Sequence, residues 1–325
     1  GGMTTKILAL TDAPPLLEFA RLVQEAGFPP GVVNIITGFG AECGATLTRH
    51  PLVDHVAFTG GPETARAVVR GSADNLASTS LELGGKSPFI VFDDADLESA
   101  ANAQVAGIFA ASGQSCVAGS RLLVQRSVKD ALLERLARKA KAVRIDSPDK
   151  PTTEMGPLCT SRQREAIEKV VEQSIEAGAR LVAGGERLQG AGYYYRPTIL
   201  DCSDTPRAPS VEQELFGPVL SVLSFENEEE AVTLANATRY GLAAGLFTQN
   251  LTRAHRMIRE LSRRFPHRPL RRFGPFGPWS GGRTGGRPRL HPVENHLAAN
   301  QRYAHPRPLR DGMMTATNQN RERVE

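Results

Sequence analysis

Cysteine is scarce in this chain: four in 325 residues, at Cys43, Cys116, Cys159 and Cys202. They stand far apart, with no CxxC pair and no Cys/His metal spacing, which excludes a disulfide scaffold and a zinc site. No apolar run approaches the roughly 20 residues of a membrane span. No secretory signal opens the sequence, so the expected location is the cytoplasm. Lysine is missing from 263–325, where thirteen arginines face four acids, Glu294, Asp311, Glu322 and Glu325. That segment carries +9 against a whole-chain formal charge of +4, so the first 262 residues carry −5. The body is mildly acidic and all the basicity sits in the tail. An intact GxGxxG fingerprint is lacking too, because "GFGAECG" places three residues before its last glycine.

What is present reads as an α/β protein of about two domains, and 40% hydrophobic residues is enough for a real core. From Leu16 to Leu261 helical and strand periodicities alternate, as in a parallel α/β fold. "PLLEFARLVQEAG", "GAECGATLTRH", "GPETARAVVRGSAD", "VKDALLERLARKAKAV" and "SRQREAIEKVVEQSIEAGA" predict helices, with a further one over Ala100 to Ala111. "VVNIITG", "HVAFTG", "TSLELGG", "PFIVF", Arg121–Gln125, "ARLVAGG", "PVLSVLSF" and "AAGLFT" predict strands. Gly38 and Gly40 follow one strand, and Gly60 and Gly61 another. Such glycines either let backbone approach a phosphate at the next helix N-terminus or simply form tight turns.

Two residues call for an explanation. Cys116 lies in "GQSCVAGSR", between a helix and a strand, where a thiol can sit at the floor of a cleft. On the local pattern alone an ordinary structural cysteine is the default, since a lone cysteine without a partner carries no chemistry. Glu82 in "LELGGK" ends an apolar strand, where a carboxylate is costly unless it has a partner or a task. It is either half of a structural salt bridge or a general base for an exposed thiolate nucleophile.

Taken together, "EAGFPPGVVNIITGFG", "VAFTGGPE", "LELGGKSP", "GQSCVAGSR", "EQELFGPVL" and "YGLAAGLFT" resemble, in order and spacing, the NAD(P)-dependent aldehyde dehydrogenases over 16–262. The resemblance implies an aldehyde dehydrogenase-like α/β fold: a partial Rossmann-type cofactor domain over 1–83 and an α/β catalytic domain over 84–262. It implies a small-molecule aldehyde as substrate, NAD or NADP as cofactor, and no metal. Cys116 would attack the carbonyl, the oxyanion would be held by donors including the Cys116 backbone N–H, and Glu82 would activate water against the thioester. Glu214 and Phe216 in "ELFG" match positions that hold the nicotinamide ribose and ring. Gly40, and Gly60 and Gly61 of "TGGPE", match the stretch near adenosine and pyrophosphate, with Leu83 and Gly84 also on the cofactor side. Lys6 stands nearest to a lysine that contacts the adenosine ribose. The match departs from the family pattern at Gly61, usually serine, and at Ala65, usually glycine.

Both ends also depart from the family pattern. Members carry a longer leading segment, including the first βαβ unit and an oxyanion-hole asparagine, so the expectation is a truncated chain of poor or no activity. Over 263–325, eight prolines, seven glycines and thirteen arginines leave no helical or strand period, and an unfolded tail is expected. Back-translated and read one nucleotide later, 265–298 permits a reading that recovers the family's glycine loop and its final oligomerisation strand almost in full. The tail therefore reads as out of frame, and the homo-oligomer usual in the family loses that strand. Two alternatives stand beside this reading: a catalytically inactive remnant, and a protein whose Arg/Gly-rich arm binds nucleic acid.

Overall fold

The computed structural model describes the backbone of 5–9 and 14–262, and side chains over 16–261. The expectations for the tail, an out-of-frame segment or a nucleic-acid arm, fall on 263–325 and lie outside the described residues.

Strand β1 (Thr5–Ala9) pairs in parallel with β2 (Val33–Thr37), and α1 (Pro14–Glu25) connects them. The sequence reading had no strand at β1. The segment predicted as one helix after β2 is two pieces: a π-helical turn, Gly40–Gly44, and α2 (Ala45–Arg49). β3 (His55–Gly60) and β4 (Ser78–Leu83) form a second parallel pair, joined by α3 (Pro62–Ala73). Gly61 caps α3 with no side-chain acceptor, and Pro62 at the next position has no N–H to lose.

The remaining strands build one six-stranded sheet. These are β5 (Pro88–Val91), β6 (Arg121–Gln125), β7 (Arg180–Ala183), β8 (Thr198–Asp201), β9 (Val219–Phe225) and β10 (Gly245–Phe247). Their order across the sheet is β10-β5-β6-β9-β8-β7. All pairings are parallel except β7 with β8, which is antiparallel, so the sheet is mixed at one edge rather than wholly parallel as expected. Around it lie α4 (Leu97–Phe109), α5 (Lys129–Ala142), α6 (Ser161–Glu176), α7 (Pro209–Glu212), α8 (Glu228–Ala235) and α9 (Leu251–Ser262). Asp96, Thr160 and Asn227 cap α4, α6 and α8 by accepting from the N–H three residues on.

Period-two alternation explains why the sheet is covered twice. On β6, Leu123 enters one apolar cluster while Leu122 and Val124 enter the other. On β9, Val219, Leu223 and Phe225 take the first side, and Leu220 and Val222 the second. α6, α8 and α9 close the first cluster through Ile167, Ala231 and Met257, and α4 and α5 close the second through Ile108, Leu132 and Leu136. All seven residues of β9 are buried, as a central strand with helices on both faces requires.

Candidate active site

β3 and β4 end together, with Thr59 beside Glu82 and Gly60 beside Leu83. This register puts the Gly60–Gly61 turn and the Leu83–Gly84 turn at one carboxyl edge, where open α/β sheets receive ligands. A Cβ built on Gly61 would meet open space, so internal packing does not demand glycine there. The first-turn N–H groups of α3 have no side-chain cap and remain available to an anion. Glu82 corrects the sequence reading: it is exposed, not buried at the end of an apolar strand, because β4 belongs to a two-stranded sheet. The desolvation cost invoked for it does not arise.

The chain leaving Glu82 runs against the backbone of the cysteine loop. A Cβ on Gly85 would stand 2.7 Å from the Cys116 carbonyl oxygen, so only glycine lets the two strands of backbone approach. On the other side Glu214 closes in. Its Oε1 accepts from the Gly85 N–H at 3.0 Å, and a Cβ on Gly84 would fall 1.8 Å from Oε2. The turn at residues 84–86 thus brings Gly84 and Gly85 against the Glu214 carboxylate and Gly85 against the Cys116 backbone. Burial raises the Glu214 carboxyl above its usual range, opposed by the Gly85 N–H and by the positive charge of Lys86.

Cys116 is exposed and follows an unusual turn. α4 stops at Phe109, two residues earlier than the sequence suggests, and Ala111 and Ser112 then take left-handed conformations at φ 48° and 56°. Such conformations cost roughly 1–3 kcal/mol each and persist only where surroundings over-determine them. Here they do. Ser112 Oγ donates to the Gly156 and Pro157 carbonyls, Gln114 Oε1 accepts from the Cys159 N–H at 3.0 Å, and buried Gln104 donates to Gly119 O at 2.7 Å.

Phe216, 40% exposed and at φ 48°, presents its ring beside Glu214 on a turn held by the Gln163 side chain, which donates to the Leu215 and Phe216 carbonyls. A small cavity of about 10 Å³ lies behind this turn, lined by Gly85, Lys86, Ser115, Ser120, Glu214 and Phe216 among others. Neither Cys116 nor Glu82 lines it. Lys86 is almost wholly buried and its Nζ has no hydrogen-bond partner among the described residues. Gly40 opens the turn after β2, in the other small sheet. Lys6 is on β1, paired with Asn34, and its side chain lies outside the described residues.

Lys86, Ser112 and Gln163 escaped the sequence reading. Lys86 left a signal, a lysine two residues beyond a catalytic-looking carboxylate and among glycines. Gln163, in the first turn of an amphipathic helix, left none.

The model of the Aldehyde dehydrogenase family matches residues 9–263. The chain belongs to the aldehyde dehydrogenase family. It is 59% identical over 293 residues to the (Z)-2-((N-methylformamido)methylene)-5-hydroxybutyrolactone dehydrogenase of Acinetobacter baylyi, covering 88% of this chain and 60% of the relative. It is 45% identical over 253 residues to a betaine aldehyde dehydrogenase of Cereibacter sphaeroides, covering 77% of this chain and 52% of that one. Among solved aldehyde dehydrogenase-like folds, PnpE in complex with nicotinamide adenine dinucleotide superposes with TM-score 0.77 and 40% identity, over 79% of this chain and 54% of PnpE. Staphylococcus aureus betaine aldehyde dehydrogenase, in complex with NAD+ and with a BME-modified cysteine, gives TM-score 0.76 and 36% identity, over 79% and 53%. The chain spans about half the length of the relatives it matches. Among the described residues of this family member, no helix is long and apolar enough to cross a membrane, and no three His, Cys, Asp or Glu side chains gather to hold a metal.

Proposed function

We propose that the site of this chain oxidises an aldehyde to the carboxylic acid with a nicotinamide dinucleotide, NAD being the one bound in the solved relatives. The observation that carries this reading is the 84–86 turn, pressed between the Glu214 carboxylate and the Cys116 carbonyl. Glu214 fits the ribose of such a cofactor. One oxygen is taken by the Gly85 N–H, and the other has no hydrogen bond among the described residues and can accept from ribose hydroxyls. Gly84 keeps that approach open, Phe216 offers an exposed ring for the nicotinamide, and Gly60, Gly61, Leu83 and Gly40 would border its pyrophosphate and adenosine side. When bound, the dinucleotide supplies the hydride acceptor.

The chain's own groups do the rest. The exposed Cys116 thiolate adds to the aldehyde carbonyl, and the Cys116 N–H donates to the oxyanion. Glu82, solvated and on the strand that feeds the 84–86 turn, takes a proton from the water that releases the acid. Cys202 is no rival nucleophile: it is fully buried, and burial pushes its thiol up to about 11. The strand partition supports a cofactor part over 1–83 and a thiol-bearing part over 84–262, since β1–β4 form the two small sheets and β5–β10 the large one.

The test is NAD(P)H formation by the full chain with betaine aldehyde and a panel of aliphatic and aromatic aldehydes, alongside calorimetric NAD+ binding. Turnover lost in Cys116→Ser and slowed at least about 100-fold in Glu82→Gln is expected, the lower end of the effect of removing a general base. Turnover retained in Cys116→Ser, or absence of both turnover and NAD+ binding, overturns the reading.

A further inference from the structure

Lys86 has no role in the chemistry just described, yet it is 1% exposed, its Nζ has no partner among the described residues, and it lines the same small cavity as Glu214. Buried lysines find a partner or lose their charge. Burial, with the Arg121 guanidinium next, pushes the Lys86 amine down to about 7, while Cys202 and Glu214 pull it up. The groups that face it sort themselves by chemistry. Arg121, on β6, is a cation that donates from Nε and both Nη atoms to the Lys86, Leu234 and Ala235 carbonyls, at 2.9, 2.7 and 2.7 Å. Cys202, just past β8, keeps its proton near neutrality because burial pushes its thiol up to about 11. Glu214 is left as the one carboxyl group among these, raised by burial and pulled back by the Gly85 N–H and by Lys86. The cavity between the two, about 10 Å³, has room for a single water.

We propose that Lys86 is a positioning residue for Glu214: across the cavity they share, its ammonium holds the carboxylate in the charged form that accepts the Gly85 N–H, keeping the second oxygen turned outward. The Lys86–Glu214 coupling stands on the cavity they both line and on the burial of an unpartnered Lys86 Nζ; its consequence for cofactor binding rests on the proposed function. An uncharged residue of the same length would fill the space but leave Glu214 desolvated without a counter-charge.

The Gly85 amide, hydrogen-bonded to Glu214 at 3.0 Å, is a built-in reporter. The full chain is labelled with 15N-glycine, and the Gly85 resonance is assigned as the one whose pH titration disappears in Glu214→Gln. In the unmodified protein its shift is expected to move in two steps, one as Glu214 ionises and one near pH 7 as Lys86 loses its proton. In Lys86→Met the step near pH 7 vanishes and the first moves up by about 1–3 pH units, the usual effect of removing an opposite charge. Other glycine resonances should stay in place, which separates loss of charge from loss of fold. A step near pH 7 that survives in Lys86→Met, or a first step that does not move, overturns the proposal. Should Lys86→Met not fold, the unmodified protein decides by itself, since a single-step titration of Gly85 also overturns it.

NAD+ calorimetry on the same samples separates the two readings. A dissociation constant raised about tenfold in Lys86→Met carries the coupling through to the cofactor. Two-step titration with no NAD+ binding to the unmodified protein removes the cofactor reading and leaves the coupling. NAD+ binding with a one-step titration does the reverse.

Discussion

Two glycines in the site's backbone, Gly84 and Gly113, are both required, for different reasons. A methyl on Gly84 would strike the Glu214 carboxylate at 1.8 Å, the far end of a flexible side chain that can swing aside. Gly84→Ala should therefore fold with a melting temperature within a few degrees of the parent, while NAD+ affinity falls at least about tenfold, roughly the loss of one charge-assisted hydrogen bond. A methyl on Gly113 would strike the Gly217 carbonyl carbon and oxygen at 2.2 Å, at φ +72°, and backbone cannot swing aside. Gly113→Ala should cost about 2–4 kcal/mol and lower the melting temperature by roughly 5–15 °C in a scan. The four thiols offer a second check. Brief iodoacetamide treatment should label the exposed Cys116 and Cys159 and spare Cys202, which becomes reactive only on unfolding. In Cys159→Ser, loss of turnover should track the mass gain on the Cys116 peptide; labelling of native Cys202 would show that the thiol environments are misassigned. At this scale the sequence offers its candidates where they sit in short motifs, as with Glu82, Gly84 and Cys116 in "LELGGK" and "GQSC". It was illegible where a role arises from contact between distant segments: Gly85 meets Glu214 across 129 residues, and Gln163 meets Leu215 across 52.

Elements meet at Asp201, the last residue of β8. Its carboxylate binds Lys129 on α5 at 3.2 Å, Arg180 on β7 at 2.9 Å and the Ser203 hydroxyl at 2.7 Å. Burial pushes this carboxyl up, but the Ser203, Arg180 and Lys129 hydrogen bonds together outweigh it and hold it below the usual range. A carboxyl lowered in the folded state contributes stability that is fully present above its unfolded value, about 3.9, and disappears as pH falls through the folded one. Asp201→Asn should cost about 1–3 kcal/mol at pH 7 by chemical denaturation, and its stability should fall less steeply than the parent's below about pH 4. Equal slopes in the two proteins would remove Asp201 from the acid response. β8 itself was not read from the sequence. Its run "TILD" is only four residues between a proline and a cysteine, too short for a visible period, and it is a strand because β7 and β9 flank it. β1 was overlooked for a related reason, since its place depends on parallel pairing with β2. The long amphipathic helices α5 and α6 were read to within a few residues, because one apolar face per helix is a local property.

Across the whole described chain, apolar burial is unevenly shared. Both core clusters and the partly buried side chains packed on them come from 89 onward, while before that point Ala65 and Val68 are the buried apolar side chains. Leu17, Phe19, Leu22, Phe28 and Phe39 are about half exposed or more. A two-stranded sheet is marginal by itself, and local opening follows the density of buried contacts. Amides of β2, β3 and β4 should therefore exchange at least about tenfold faster than those of β6 and β9 in native-state hydrogen exchange, each factor of ten corresponding to about 1.4 kcal/mol. Uniform protection from β2 to β9 would contradict this gradient. The strand order of the large sheet carries a consequence for synthesis. β6 leaves the ribosome directly after its neighbour β5, but its other neighbour, β9, begins about 94 residues later, from Gln125 to Val219. At roughly 5–20 residues per second, the apolar flank of β6 waits about 5–20 s for its partner to be translated. For that interval a nascent chain exposes "RLLVQ" with one edge unpaired, the kind of surface that binds holdase chaperones or another nascent strand. Slow or rare codons between α5 and β9 would lengthen that wait, so the yield of soluble protein becomes a matter of decoding speed as well as of fold.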